Sequence, residues 1–303
     1  MPVEIQKVFT FSGHDAPVYE LAFFEENKII SGGGDRIITL LNINDIENPV
    51  GIVNTGSTIY SLKYIPGKNI LLAGVSSGGL HVIDLNHKKE THFLMNHLKG
   101  IFNICYSEIN NLIFTSGGDG KISAWSADDF TFIKSLEVSS EKIRSIITDR
   151  SEKFLIAACG DGTIRIFSLP ALTETHRFNA HNSSVNSICF HPEKNILISG
   201  GKDAHLNFWS TDDYKLIQSI PAHNYAIYSI SFSPSGKLFA TASRDKTIKL
   251  WNSNTNEIAL RIDFEKNSGH TFSVNKLLWI KNLLISAGDD KKIIGWKIDD
   301  SGL

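Results

Sequence analysis

The sequence predicts an all-β fold, a ring of seven four-stranded antiparallel sheets, on three observations. The first is a spacing. Aspartates stand at Asp35, Asp119, Asp161, Asp203, Asp245 and Asp290, at intervals of 84, 42, 42, 42 and 45 residues. Ser77 fills the place that the long first interval leaves empty. Six residues beyond these positions come Leu41, Ile83, Trp125, Phe167, Trp209, Trp251 and Trp296, so one unit of about 42 residues recurs seven times. The second observation lies inside one unit. Between residues 222 and 262 the short runs IYSISF, KLFATA, TIKLW and EIALRI are separated by SPSG, SRDK and NSNTN. Five- or six-residue runs rich in β-branched and aromatic types, punctuated by turn formers, are strands in hairpins. No 3.6-residue period persists long enough for an ordinary helix.

The third observation concerns the ends. Seven residues follow Trp296, too few for a turn and a fourth strand. The missing strand is expected from residues 6–11, which precede His14 as residues 215–220 precede His223. A four-stranded sheet has two apolar faces and needs a neighbour on each. Seven such sheets close radially into a seven-bladed β-propeller that exposes only short outer edges. The expected units are 12–53, 54–95, 96–137, 138–179, 180–221, 222–265 and 266–299, with 5–11 completing the last blade of a single domain, 1–303.

Composition narrows the function. The 30 basic and 32 acidic residues leave a net charge of −2, which provides no field for nucleic acid or an anionic membrane. No apolar run reaches the ~20 residues that span a bilayer, and MPVEIQKVFTF lacks the pattern of a secretory signal. Cys105, Cys159 and Cys189 are odd in number, and Cys105 and Cys189 hold equivalent places two units apart. Reduced, buried thiols and a cytoplasmic location are expected.

The repeats resemble the WD-repeat family across essentially the whole chain. Gly13-His14 and Gly269-His270 match that family's Gly-His mark, while Asn96-His97, Ala180-His181 and Ala222-His223 keep the histidine. A departure follows the tryptophans, where Ser126, Ser210, Asn252 and Lys297 stand in place of aspartate. The resemblance implies hydrogen-bonded sets of four: His97, Thr115, Asp119, Trp125; His181, Ser199, Asp203, Trp209; His223, Thr241, Asp245, Trp251; and His270, Ser286, Asp290, Trp296. Unit one has His14, Ser31 and Asp35 with Leu41 as its fourth member. Units two and four lack the set, carrying Thr55, Ala73, Ser77, Ile83 and Ser139, Ala157, Asp161, Phe167.

A hydroxyl, an imidazole and a carboxylate together suggest a hydrolase. Repetition around a ring argues instead for architecture, because buried indoles, hydroxyls and turn carboxylates all need partners. Two other signals carry no chemistry. His81, His87, His92 and His97 have no cysteine or carboxylate at ligand spacing, so no metal or cofactor is expected. Gly32-Gly33-Gly34 precedes no GK[ST] and is expected to be a tight turn with positive φ.

Function is expected at the channel mouth, the face that often receives peptides in the WD-repeat family. Counting one residue past the start of each first strand gives Tyr19, Tyr60, Phe102, Arg144, Asn186, Tyr228 and Asn275. The turn positions add Lys202, Arg244 and Asp289. Aromatics and cations are enriched in interaction hot spots. The insertion at 263–269 (DFEKNSG) is expected to feed the same mouth, and it is equally compatible with neutral drift in length. The expected protein is a non-enzymatic scaffold for a protein or peptide, monomeric within a larger complex, without nucleic acid or membrane partners. The competing class is a propeller hydrolase or lyase with its site in the channel mouth.

Overall fold

The computed structural model describes residues 3–300, and among these the regular structure is nearly all β-strand. The strands form seven four-stranded antiparallel sheets arranged as the blades of a seven-bladed β-propeller. The first strand of each blade is innermost: Val18–Glu25, Ile59–Ile65, Ile101–Ser107, Ile143–Thr148, Val185–Phe190, Ile227–Phe232 and Val274–Ile280. Each inner strand touches its counterparts in both neighbouring blades, the seventh meeting the first. In blades 1–6 the four strands follow one another in chain order. Blade 7 takes its outermost strand from the start of the chain, where Glu4–Phe11 pairs with Ile293–Asp299. Glu4 lies opposite Asp299 and Phe11 opposite Ile293.

Burial follows strand position and explains the sequence pattern. Second strands such as Ile70–Val75 (ILLAGV) and Leu238–Ser243 (LFATAS) are buried on both faces and run almost continuously apolar. Outermost strands such as Lys89–Met95 (KETHFLM) face water on most positions and carry charge. Each adjacent pair of blades closes one apolar core of its own. Ile65, Leu72, Ile101, Ile113 and Trp125 join blades 2 and 3, for example. Phe11, Val18, Leu21, Ile280, Ile285 and Ile293 join blades 7 and 1. Among the described residues there are seven such cores.

The glycines of blade 1 require a correction. None of Gly32, Gly33 and Gly34 has positive φ; the left-handed residue of that turn is Arg36, at φ 68°. The glycines serve close approach instead. A Cβ on Gly33 would stand 2.0 Å from the Pro17 carbonyl oxygen, and one on Gly32 would press Ile59 of blade 2. The position after the turn aspartate, or after Ser77 in blade 2, is left-handed in every blade, filled by Arg36, Gly78, Gly120, Gly162, Ala204, Lys246 and Lys291. A left-handed site tolerates a side chain there at a cost of about 1 kcal/mol.

The insertion between blades 6 and 7 folds on itself. Phe264–Asn267 make one helical turn, the Asp263 carboxylate accepting from the Lys266 N–H and the Asn267 side chain from the Asp263 N–H. Lys7 Nζ, on the outermost strand of blade 7, donates to the Ser268 carbonyl. The extra residues are spent at the perimeter, and none of them lines the channel. Among the described residues no helix is long and apolar enough to cross a membrane. The three cysteines are free, and burial pushes the Cys159 and Cys189 thiols up to about 12.

Candidate functional site at the channel mouth

The inner strands enclose a channel of about 1070 Å³. At its mouth every inner strand breaks register with the second strand after its first residue. Val18 pairs with Gly33 and Glu20 with Gly32, so Tyr19 is skipped; the same step skips Tyr60, Phe102, Arg144, Asn186, Tyr228 and Asn275. A bulge leaves its extra residue outside the ladder and re-aims the side chain. Here it turns one side chain per blade into the channel, and all seven line it.

Half of this ring is one stack. Tyr19 and Tyr60 stand edge to face with centroids 5.6 Å apart, and Tyr60 and Phe102 lie tilted at 5.3 Å. The Arg144 guanidinium lies 5.2 Å from the Phe102 ring centre. The other half is largely structural. Asn186 Nδ2 donates to the Ile227 carbonyl at 3.0 Å, and Asn275 Nδ2 donates to the Val18 carbonyl at 3.0 Å and to Asp289 at 2.8 Å. These asparagines staple neighbouring inner strands. Deeper in the channel, Lys276 Nζ meets the buried Glu20 carboxylate at 2.8 Å and staples the seam between blades 7 and 1. Burial, the largest influence, pushes the Glu20 carboxyl up despite that partner.

Lys202 and Arg244 do not line the channel. They sit in turns after the second strands, one strand removed from the axis, and both are exposed. Two aromatics on the same face escape a count based on strand starts. Tyr225 and Phe272 each stand two residues after a blade histidine, 59% and 58% exposed. Arg244 lies over the Tyr225 ring at 5.9 Å and Lys246 over the Phe272 ring at 5.7 Å. The readable signal is an aromatic where the other histidine-bearing repeats place Ala16, Lys99 and Ser183.

The sets of four assemble beside each turn. In blade 6, His223 Nδ1 meets Asp245 at 3.0 Å, His223 Nε2 meets Thr241 Oγ1 at 2.7 Å, and Trp251 Nε1 donates to Thr241 Oγ1 at 2.9 Å. An indole N–H can only donate, so the hydroxyl accepts from it and keeps its own proton available for Nε2. Burial, the largest influence, lowers the His223 pKa, and a neutral imidazole that takes the hydroxyl proton at Nε2 carries its own on Nδ1, facing the carboxylate. Blade 3 repeats the chain at 3.0, 2.9 and 3.1 Å through His97, Asp119, Thr115 and Trp125. Blade 5 does so at 2.9, 2.8 and 2.9 Å through His181, Asp203, Ser199 and Trp209. In blade 7, His270, Asp290, Ser286 and Trp296 are joined at 2.8, 2.9 and 2.9 Å. His14 bridges Asp35 at 2.6 Å and Ser31 at 2.8 Å, without an indole. In blade 4 the carboxylate of Asp161 is taken by Arg165 at 2.9 Å and by the Ser139 hydroxyl at 3.1 Å.

Burial is the largest influence on Asp245 and pushes its carboxyl up. The bonds from His223, Thr247 and the Asn224 N–H together outweigh it and hold the carboxyl well below the ordinary 3.8. Asp119, Asp203 and Asp290 are lowered in the same way, by their histidines against the cost of burial. On acidification the unfolded chain therefore takes up protons first. The stabilisation is complete above about pH 5 and is lost as pH falls through 3.8 toward the folded values. Replacing Asp245 by Ala is expected to cost ~1–3 kcal/mol at neutral pH. Acid titration followed by circular dichroism should show a shallower loss of stability below pH 4 in the variant.

A family model described as "WD domain, G-beta repeat" matches residues 5–41, 88–126, 130–168, 172–210 and 214–252. Among solved structures, the chain superposes on the WD40 β-propeller domain of Doa1 with a TM-score of 0.85. That match is 16% identical and covers 99% of this chain and 98% of that one. Among curated proteins, Protein TPR3 of Oryza sativa subsp. japonica is 24% identical over 132 residues. Those residues are 43% of this chain and 12% of the rice protein.

Proposed function

Because the chain belongs to the WD40 family, we propose that it is a non-enzymatic interaction scaffold that receives a peptide-like segment of a partner protein at the channel mouth. The observation that carries this reading is the run of Tyr19, Tyr60, Phe102 and Arg144, each in contact with the next around half the mouth. Flat rings already packed on one another lose little freedom on binding and offer desolvated contact area. Because all seven rim residues are bulged out of the ladder, the surface a partner would read is separate from the bonds that hold each blade. Tyr225 with Arg244 and Phe272 with Lys246 extend the same residue types outward over blades 6 and 7.

The enzymatic alternative gains nothing from the channel. Its carboxylates among the described residues are Glu20 and Asp289, one paired with Lys276 and the other bonded to Asn275. The histidine–carboxylate pairs lie inside the blades and do not line the channel.

Replacing Tyr19, Tyr228 and Arg144 together by Ala should abolish capture of the partner from the native organism while leaving melting nearly unchanged. Substitutions of Glu25, Lys68 and Lys194 on the opposite face should leave capture intact. Loss of the partner in the opposite-face variants, with retention in the rim variant, would show that the other face is the docking surface.

A further inference from the structure

Among the described residues, no carboxylate answers the charge of Arg144 at the rim. Its Nε is buried without a hydrogen-bond partner, and among the described residues the side chain makes neither a hydrogen bond nor an ion pair. The two carboxylates of the channel are engaged elsewhere. The Nε donor is cut off from water and left unanswered, which is costly, while the half-buried side chain keeps its terminal nitrogens open to the channel, where a ligand can meet them. The guanidinium carbon lies over the Phe102 ring at 5.2 Å, a cation–π contact that engages none of its N–H donors. The terminal N–H donors lie in the plane of the group and are left free for a planar oxyanion. Lys142 stands close enough to Arg144 and to Lys202 for their repulsion to pull its ammonium down, after burial, the larger influence. This side of the mouth is therefore positive, while Asp289 belongs to blade 7 beyond Tyr19.

We propose that Arg144 is the receptor for one side-chain carboxylate of the partner segment, bound in the plane of the guanidinium while Phe102 covers its face. The proposal rests on the channel mouth being the docking site and goes further in naming the chemistry read there. A carboxylate suits the place better than a phosphate. One forked donor between flat rings matches a small planar anion, whereas a phosphate dianion needs several converging donors. Lys142 is already partly answered by Glu141, and Lys202 is exposed outside the channel. The segment would enter with its acidic residue toward blade 4 and an apolar or aromatic neighbour over Tyr60 and Phe102.

The test uses the intact chain and a phage library of random nonapeptides, followed by fluorescence anisotropy on the enriched sequences. The expected result is a recurrent Asp or Glu whose change to Gln or Asn weakens binding by at least about tenfold. Arg144→Gln should lose that discrimination at unchanged melting temperature. Arg144→Lys, which keeps the charge and loses the fork, should recover less than half of the lost affinity. Enriched peptides without an acidic residue, or equal binding of the acid and amide forms, would overturn the carboxylate assignment and leave the docking face standing. Binding that rises more than about tenfold when phosphoserine replaces the acid would also overturn it. A library that enriches nothing would remove the docking face together with the subsite.

Discussion

Deleting residues 1–11 should lower the melting temperature by on the order of 10 °C and drive the protein to aggregate. The truncation strips the outermost strand from blade 7 and leaves the edge of Ile293–Asp299 unpaired, a template for another chain. It also removes side chains that complete two cores. Val3 packs against Ile294, Ile298 and the last strands of blade 6, and Phe11, 6% exposed, sits in the core shared by blades 7 and 1. Phe9 fills space that only a glycine leaves, since a Cβ on Gly295 would stand 2.2 Å from its ring. Burying an apolar side chain is worth ~1.5–3 kcal/mol, so three of them account for about 5 kcal/mol or more. Differential scanning calorimetry and light scattering would measure both effects. A truncated chain that stayed monomeric and equally stable would mean that the seventh blade closes without this strand.

The second large effect is expected at Trp251. Its side chain is 1% exposed, stacks parallel to Phe239 with centroids 5.9 Å apart, and donates to Thr241. Trp251→Ala opens a cavity in the core between blades 5 and 6 and should cost about 3–5 kcal/mol. Trp251→Phe keeps most of the volume and loses the indole bond, so ~1 kcal/mol is expected. Urea unfolding of the two variants separates packing from hydrogen bonding. Blades 1, 2 and 4 already carry Leu41, Ile83 and Phe167 at this place, all buried. Packing is therefore expected to dominate, and a phenylalanine variant as damaged as the alanine one would show that the hydrogen-bonded chain matters more.

The architecture was legible because a period survives even where the residues that define it do not. Ser77 and Ile83 have neither the acid nor the indole, yet the 42-residue interval places them in blade 2. The partners within each set were legible for the same reason, since register in a meander fixes which residues face one another. What sequence spacing could not carry was the path of the backbone at the mouth. The seven rim positions were found by counting from the start of each strand, but their turn toward the channel comes from a bulge that leaves no compositional mark. Lys202 and Arg244 satisfied the count and still stand outside the channel, one strand from the axis. The glycines of blade 1 were legible as special and not as to why. Their reason is the Pro17 carbonyl and Ile59, neighbours that only the fold brings within reach.

Seven cores shared pairwise around a closed circle have a consequence for how the molecule opens. In an open stack of seven units there would be one fewer interface, and either end unit could peel away by breaking a single contact surface. Here no unit is terminal, and releasing any blade means giving up two cores at once. Fraying, the usual low-energy route to amide exchange with solvent, has no preferred starting point among the blades. The inner three strands of every blade should therefore exchange their amides on a common slow timescale, set by breaking the whole circle rather than by loosening one sector of it.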